Sequence, residues 1–120
     1  MKLGMLMIFV SNLDKAKDFY CNILNFPLKA ESETSLTFIS GRQDLIAFKC
    51  ASDSLVENYS QTARSVFVFE VDSISGEFSE LKQKGVIFLH DKPSENEFCF
   101  YAAFRDPFGN IHEIAERKKL

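Results

Sequence analysis

Glu113 is the side chain in this 120-residue sequence whose type and setting most suggest chemistry. It lies in a β-favouring run between Ile111 and Ile114, directly after the turn-forming segment Asp106-Pro107-Phe108-Gly109-Asn110. Asp-Pro opens such a turn, and Gly109 and Asn110 both tolerate positive φ. A carboxylate among apolar neighbours needs a hydrogen-bond partner. Without one its proton is held more tightly, and it becomes a general base or a recognition group for a cation. His112 is adjacent, but successive strand side chains point to opposite faces. Only a bulge would bring both to one site, so His112 is expected toward a helix layer or solvent. His90 follows the strand-like run Val86 to Leu89 at the start of a polar loop, where a solvated role is expected. No nucleophile–histidine–carboxylate order, phosphate-binding glycine loop or paired-carboxylate spacing is present.

The elements that position Glu113 recur twice along the chain. Leu3 to Val10 reads as a strand, Ser11-Asn12 as a helix cap, and Leu13, Ala16, Phe19, Tyr20, Ile23 and Leu24 as one helical face. The Asn25-Phe26 corner and Pro27 end that helix. Leu28 to Glu31, Ser35 to Ser40 and Leu45 to Cys50 then read as three strands, so the first half is βαβββ. Ser65 to Val71 restarts the pattern, with Ser73 as cap, Ile74, Phe78 and Leu81 as the helical stripe, and Gly85 as C-terminal cap. Val86 to Leu89, Glu97 to Arg105 and Ile111 to Ala115 complete it. Aligning Val10 with Val71 brings Asn12 onto Ser73 and Leu13 onto Ile74, the weak self-similarity of a duplicated module. Module one is placed at about 1–51, a polar linker at about 52–62, and module two at about 63–120. Each half is too small to bury both faces of its sheet, so pairing is expected.

Composition narrows the classes. With 46% hydrophobic and 26% charged residues, this is an ordinary globular chain of one domain. A net charge of −3 offers no nucleic-acid footprint, and no apolar run approaches a membrane span. A cytoplasmic protein is expected. Cys21, Cys50 and Cys99 are odd in number and widely spaced, which predicts buried free thiols. Thirteen phenylalanines without a tryptophan suit both a core and the walls of a small-molecule site. Thr62, Arg64 and Ser65 at the second module's entrance, and the acidic Glu95-Asn96-Glu97, are expected to be solvated, and Asp72 to help cap the second helix.

The final hairpin, together with Val10-Ser11-Asn12-Leu13-Asp14-Lys15-Ala16-Lys17-Asp18-Phe19-Tyr20, Leu24-Asn25-Phe26 and Phe69-Glu70-Val71-Asp72, resembles the glyoxalase/bleomycin-resistance/extradiol dioxygenase superfamily, also called vicinal oxygen chelate. The resemblance implies an α+β fold in which two βαβββ modules form a cupped eight-stranded mixed sheet with helices on the convex side. The concave face would be the site, often within a homodimer. Metal-dependent members take His from the first strand, His or another ligand from the second module's first strand, and Glu from the last strand, with a further carboxylate in some cases from the first module. Those positions fall on Met5, Val66 and Glu113. A thioether is a soft ligand and Val is none, so Glu113 alone keeps a suitable donor.

The resemblance therefore implies a metal-free protein, without cofactor, that binds a small organic molecule as the bleomycin-resistance proteins do. Met5, Met7, Phe9, Phe48, Val66, Val68 and Tyr101 are the expected walls. Ligand-contacting residues of the family map to the parity of Cys99, Tyr101 and Ala103, which makes Tyr101 the best polar partner for Glu113. The alternative is a lactoylglutathione-lyase-like isomerase or a dioxygenase-related enzyme, with Glu113 as catalytic base or ligand of a divalent metal. Fold alone does not separate the two.

Overall fold

The computed structural model describes residues 1, 5–49, 66–96 and 99–119. The expected linker, Cys50, Thr62, Arg64, Ser65 and Glu97 lie outside these residues. The chain divides into two compact units, Met1–Ala63 and Arg64–Leu120.

In the first unit, β1 (Leu6–Val10) leads into α1 (Leu13–Lys17), followed by β2 (Leu28–Glu31), β3 (Ser35–Ser40) and β4 (Gln43–Lys49). The sheet order is β1-β4-β3-β2, with β1 parallel to β4 and the other pairs antiparallel. Asn12 caps α1 as its composition predicts: its backbone is extended and its Oδ1 accepts the Lys15 N–H at 3.0 Å. The expected single helix instead changes to a π-helical turn over Asp18–Ile23. There Leu24 N–H reaches five residues back to the Phe19 carbonyl, and Asn25 at φ 62° ends the segment. Both Phe19 and Tyr20 are turned into the core. The Tyr20 ring meets Phe19 edge-on at 5.1 Å and stacks on Phe38 at 5.2 Å. Period-two alternation then sorts the sheet: Ile8, Val10, Leu36, Phe38, Leu45 and Ala47 are buried on one face.

The second unit repeats the plan. β5 (Phe67–Glu70) and α2 (Ile74–Gln83) precede β6 (Ile87–Phe88), β7 (Ser94–Glu95), β8 (Cys99–Arg105) and β9 (Ile111–Arg117). Its sheet runs β5-β9-β8-β6, with β7 also pairing β8. The described strands thus number nine, in sheets of four and five, because the polar loop after His90 contributes the short β7. Ser73 caps α2 by accepting the Gly76 N–H at 3.3 Å. Glu116, not Asp72, supplies the second acceptor, taking the Ile74 N–H at 2.8 Å from across the unit. Gly85 closes the helix at φ 90°, where a Cβ would be strained, and donates its N–H to Lys82. The hairpin from β8 to β9 is organised by Asp106. Its Oδ1 accepts the N–H groups of Phe108 at 2.9 Å and Asn110 at 2.8 Å, and its Oδ2 accepts the Asn110 side-chain amide at 2.7 Å. Gly109 takes the left-handed conformation at φ 88°, whereas Asn110 does not; its side chain binds Asp106 instead.

Candidate functional site

β9 lies between β5 and β8 in the second unit's sheet, and its two faces have opposite characters. His112 and Ile114 are buried on the helix side. The His112 imidazole stacks on Phe67 at 5.7 Å and meets Phe69 at 5.4 Å and Phe104 at 5.5 Å. Phe104, Phe88 and Phe78 continue this aromatic cluster to α2. Burial pushes the His112 pKa down to about 4, with Asp106 opposing the shift. The ring is therefore neutral at pH 7 and turned away from Glu113.

Glu113 stands on the open face. Register places it opposite Ala103 on β8 and beside Val68 on β5. Leu89 extends this row by donating its N–H to the Ala103 carbonyl at 2.9 Å. The next row holds Ile87, Arg105 and Ile111. Val66, Val68, Ile87, Leu89 and Ile111 are all exposed, with Ile87 reaching 66%, so the half-buried carboxylate stands in a contiguous apolar surface. No residue is hydrogen-bonded or ion-paired to Glu113 among those described. On the far side of the same face, Glu70 is paired with Arg117 at 2.7 Å.

Tyr101 shares the face of Glu113, opposite Ala115, but its ring lies edge-on to His90 at 6.1 Å. His90 thus has an aromatic neighbour that its loop position did not suggest. Of the acidic loop, Glu95 pairs with Lys118 at 2.6 Å and Asn96 Oδ1 accepts the Cys99 N–H at 2.9 Å. Cys21 and Cys99 are free thiols but only half-buried, and burial raises the Cys21 pKa against the opposing effect of Lys17.

The first unit presents a corresponding open face. Met7 pairs with Ile46, and Phe9 with Phe48. Met5, Met7 and Phe48 are exposed and Phe9 is half-buried. The repeat gives these positions further meaning. Leu6 pairs with Leu45 as Phe67 pairs with His112, so aligning β1 on β5 matches Ile46 to Glu113 and Met5 to Val66. The counterpart of the one retained donor is therefore a hydrocarbon. Among the described residues, no three His, Cys, Asp or Glu side chains gather where they could hold a metal ion. Within the second unit Val66 and Glu113 offer one carboxylate, and at the matching positions of the first unit Met5 and Ile46 offer one thioether; neither set fits a hard or borderline divalent cation.

The family model described as Glyoxalase/Bleomycin resistance protein/Dioxygenase superfamily matches residues 2–114. The chain is 24% identical to the uncharacterised protein YetH of Bacillus subtilis (strain 168), covering 96% of this chain and 98% of that protein. Its fold is similar to a lactoylglutathione lyase from Agrobacterium tumefaciens, at TM-score 0.74 and 17% identity over 96% of this chain and 92% of the other. It is also similar to TnmS3, an antibiotic-binding protein from Streptomyces sp. CB03234, at TM-score 0.72 and 20% identity over 98% of each chain. The α+β architecture of two repeated sheet-and-helix units agrees with these likenesses of fold, and with the family model matched over nearly its whole length the chain belongs to the Glyoxalase/Bleomycin resistance protein/Dioxygenase superfamily.

Proposed function

We propose that the protein is a metal-free binding protein for a small organic molecule, which it sequesters rather than transforms. The observation that carries this reading is the face around Glu113, where one carboxylate stands among exposed Val68, Ile111 and Leu89 without a second metal donor in register. Covering such a surface with a ligand removes apolar area from water at roughly 25 cal/mol per Å², while the carboxylate orients the ligand. The antibiotic-binding description of TnmS3 supports this reading by analogy of fold. Each unit's open face is proposed to offer contacts of this kind, through Met5, Met7, Phe9 and Phe48 on the first unit and Val66 and Tyr101 on the second. We further propose that the protein acts as a homodimer in the cytoplasm, a state that sedimentation equilibrium would test.

A second reading, a lyase or dioxygenase-type enzyme, is favoured by one observation: Glu113 retains a ligand-type carboxylate on an open face with no protein partner among the described residues. Elemental analysis of the purified protein and titration with Ni²⁺, Zn²⁺, Mn²⁺ and Fe²⁺, followed by thermal unfolding, separates the two. The binding reading expects no stoichiometric metal and no stabilisation. One tightly held metal per chain, lost in Glu113→Gln, would overturn it.

A further inference from the structure

We infer that Glu113 and Arg105 form a two-point charge subsite for a zwitterionic organic molecule, the carboxylate taking an ammonium group and the guanidinium a carboxylate of the same ligand. This rests on the binding function proposed above and specifies the chemistry of its ligand.

The two side chains share the open face of the second sheet. Glu113 is opposite Ala103 and Arg105 is opposite Ile111, so they are diagonal neighbours across β8 and β9. Diagonal positions are about 7–8 Å apart in an antiparallel pair, close enough for one small ligand to contact both. The same face offers an internal comparison. Glu70 and Arg117 close an ion pair at 2.7 Å. Glu113 and Arg105 have no ion pair with each other or with another described residue. Their surroundings are the most apolar part of the face, with Ile87 and Ile111 beside Arg105 and Val68 beside Glu113. A ligand body lying on these side chains would exclude water and strengthen both charged contacts. A guanidinium matches a carboxylate with two parallel hydrogen bonds, and a carboxylate readily accepts from an ammonium group. A ligand with only one charge would leave the other protein charge partly desolvated and unpaired, so the arrangement selects for both.

The test uses four fluorescent probes sharing one apolar body: naphthylalanine, naphthylethylamine, naphthylpropionate and naphthylethanol, titrated at pH 7 into the full chain and into Glu113→Gln and Arg105→Gln. Naphthylalanine is expected to bind about tenfold more tightly than naphthylethanol. Glu113→Gln should remove the advantage of the amine and spare the propionate, while Arg105→Gln should do the reverse. Four probes of equal affinity, insensitive to either variant, would overturn the subsite and leave the binding function standing. No binding by any probe to a folded chain would overturn both.

Discussion

His112 and Glu113 are consecutive residues on β9 that the sheet assigns to opposite environments. The imidazole is 2% exposed among Phe67, Phe69 and Phe104, while the carboxylate stands on the open face between Val68 and Ala103. A single strand thus anchors the core with one side chain and leaves the next on the open face. Shifting its register by one residue would exchange them, placing a carboxylate among phenyl rings.

Acid should weaken the fold through His112. Its pKa is about 4 in the folded chain and 6.5 in the unfolded one, so between those values the unfolded state binds more protons. The contribution is fully present above pH 6.5 and is lost as pH falls toward 4. The maximum is about 3 kcal/mol. Urea midpoints measured from pH 7.5 to 4 should fall, and His112→Phe should flatten the profile in this window. An unchanged profile in the variant would contradict the assignment.

The Asp106 turn should be a large local stabiliser. Asp106→Ala leaves the N–H groups of Phe108 and Asn110 and the Asn110 amide without their acceptor, at a cost of about 2–3 kcal/mol. Asp106→Asn retains an acceptor for the two backbone groups and should lose less. Equal losses in chemical denaturation would show that the hydrogen bonds are not what the turn depends on.

The two helix starts should respond differently. Asn12→Ala and Ser73→Ala each remove one cap, costing about 1 kcal/mol. Glu116→Ala should also destabilise α2, by a similar amount of about 1 kcal/mol, because it removes the long-range acceptor of the Ile74 N–H. Unfolding free energies of the single variants, and hydrogen exchange at Ile74 in Glu116→Ala, measure this directly.

Glu113→Gln should leave stability within about 0.5 kcal/mol of the parent, because no described residue pairs with the carboxylate. A stability loss of several kcal/mol would indicate a structural role and argue against a ligand-facing one. Its binding and metal titrations are then interpretable without correction for unfolding.

Local patterns in the sequence already contained much of this architecture. Asn12 and Ser73 announce the two helix starts, Gly85 a helix end and Asp106 to Gly109 a tight turn, because capping and φ preferences act over three or four residues. Alternation on β9 likewise separates His112 from Glu113 once the strand is recognised. The repeat alignment of Val10 with Val71 carries both halves at once. Tertiary structure alone decided the π-helical turn at Asp18–Ile23, the short β7, the capping of Ile74 by Glu116 and the meeting of His90 with Tyr101. It also decided which residues share the surface with Glu113. Ile87, Leu89 and Arg105 join Val68 and Ile111 there only through strand order and register. Those are set by pairing between segments tens of residues apart and by which apolar set each sheet buries, and no short stretch of sequence contains that choice.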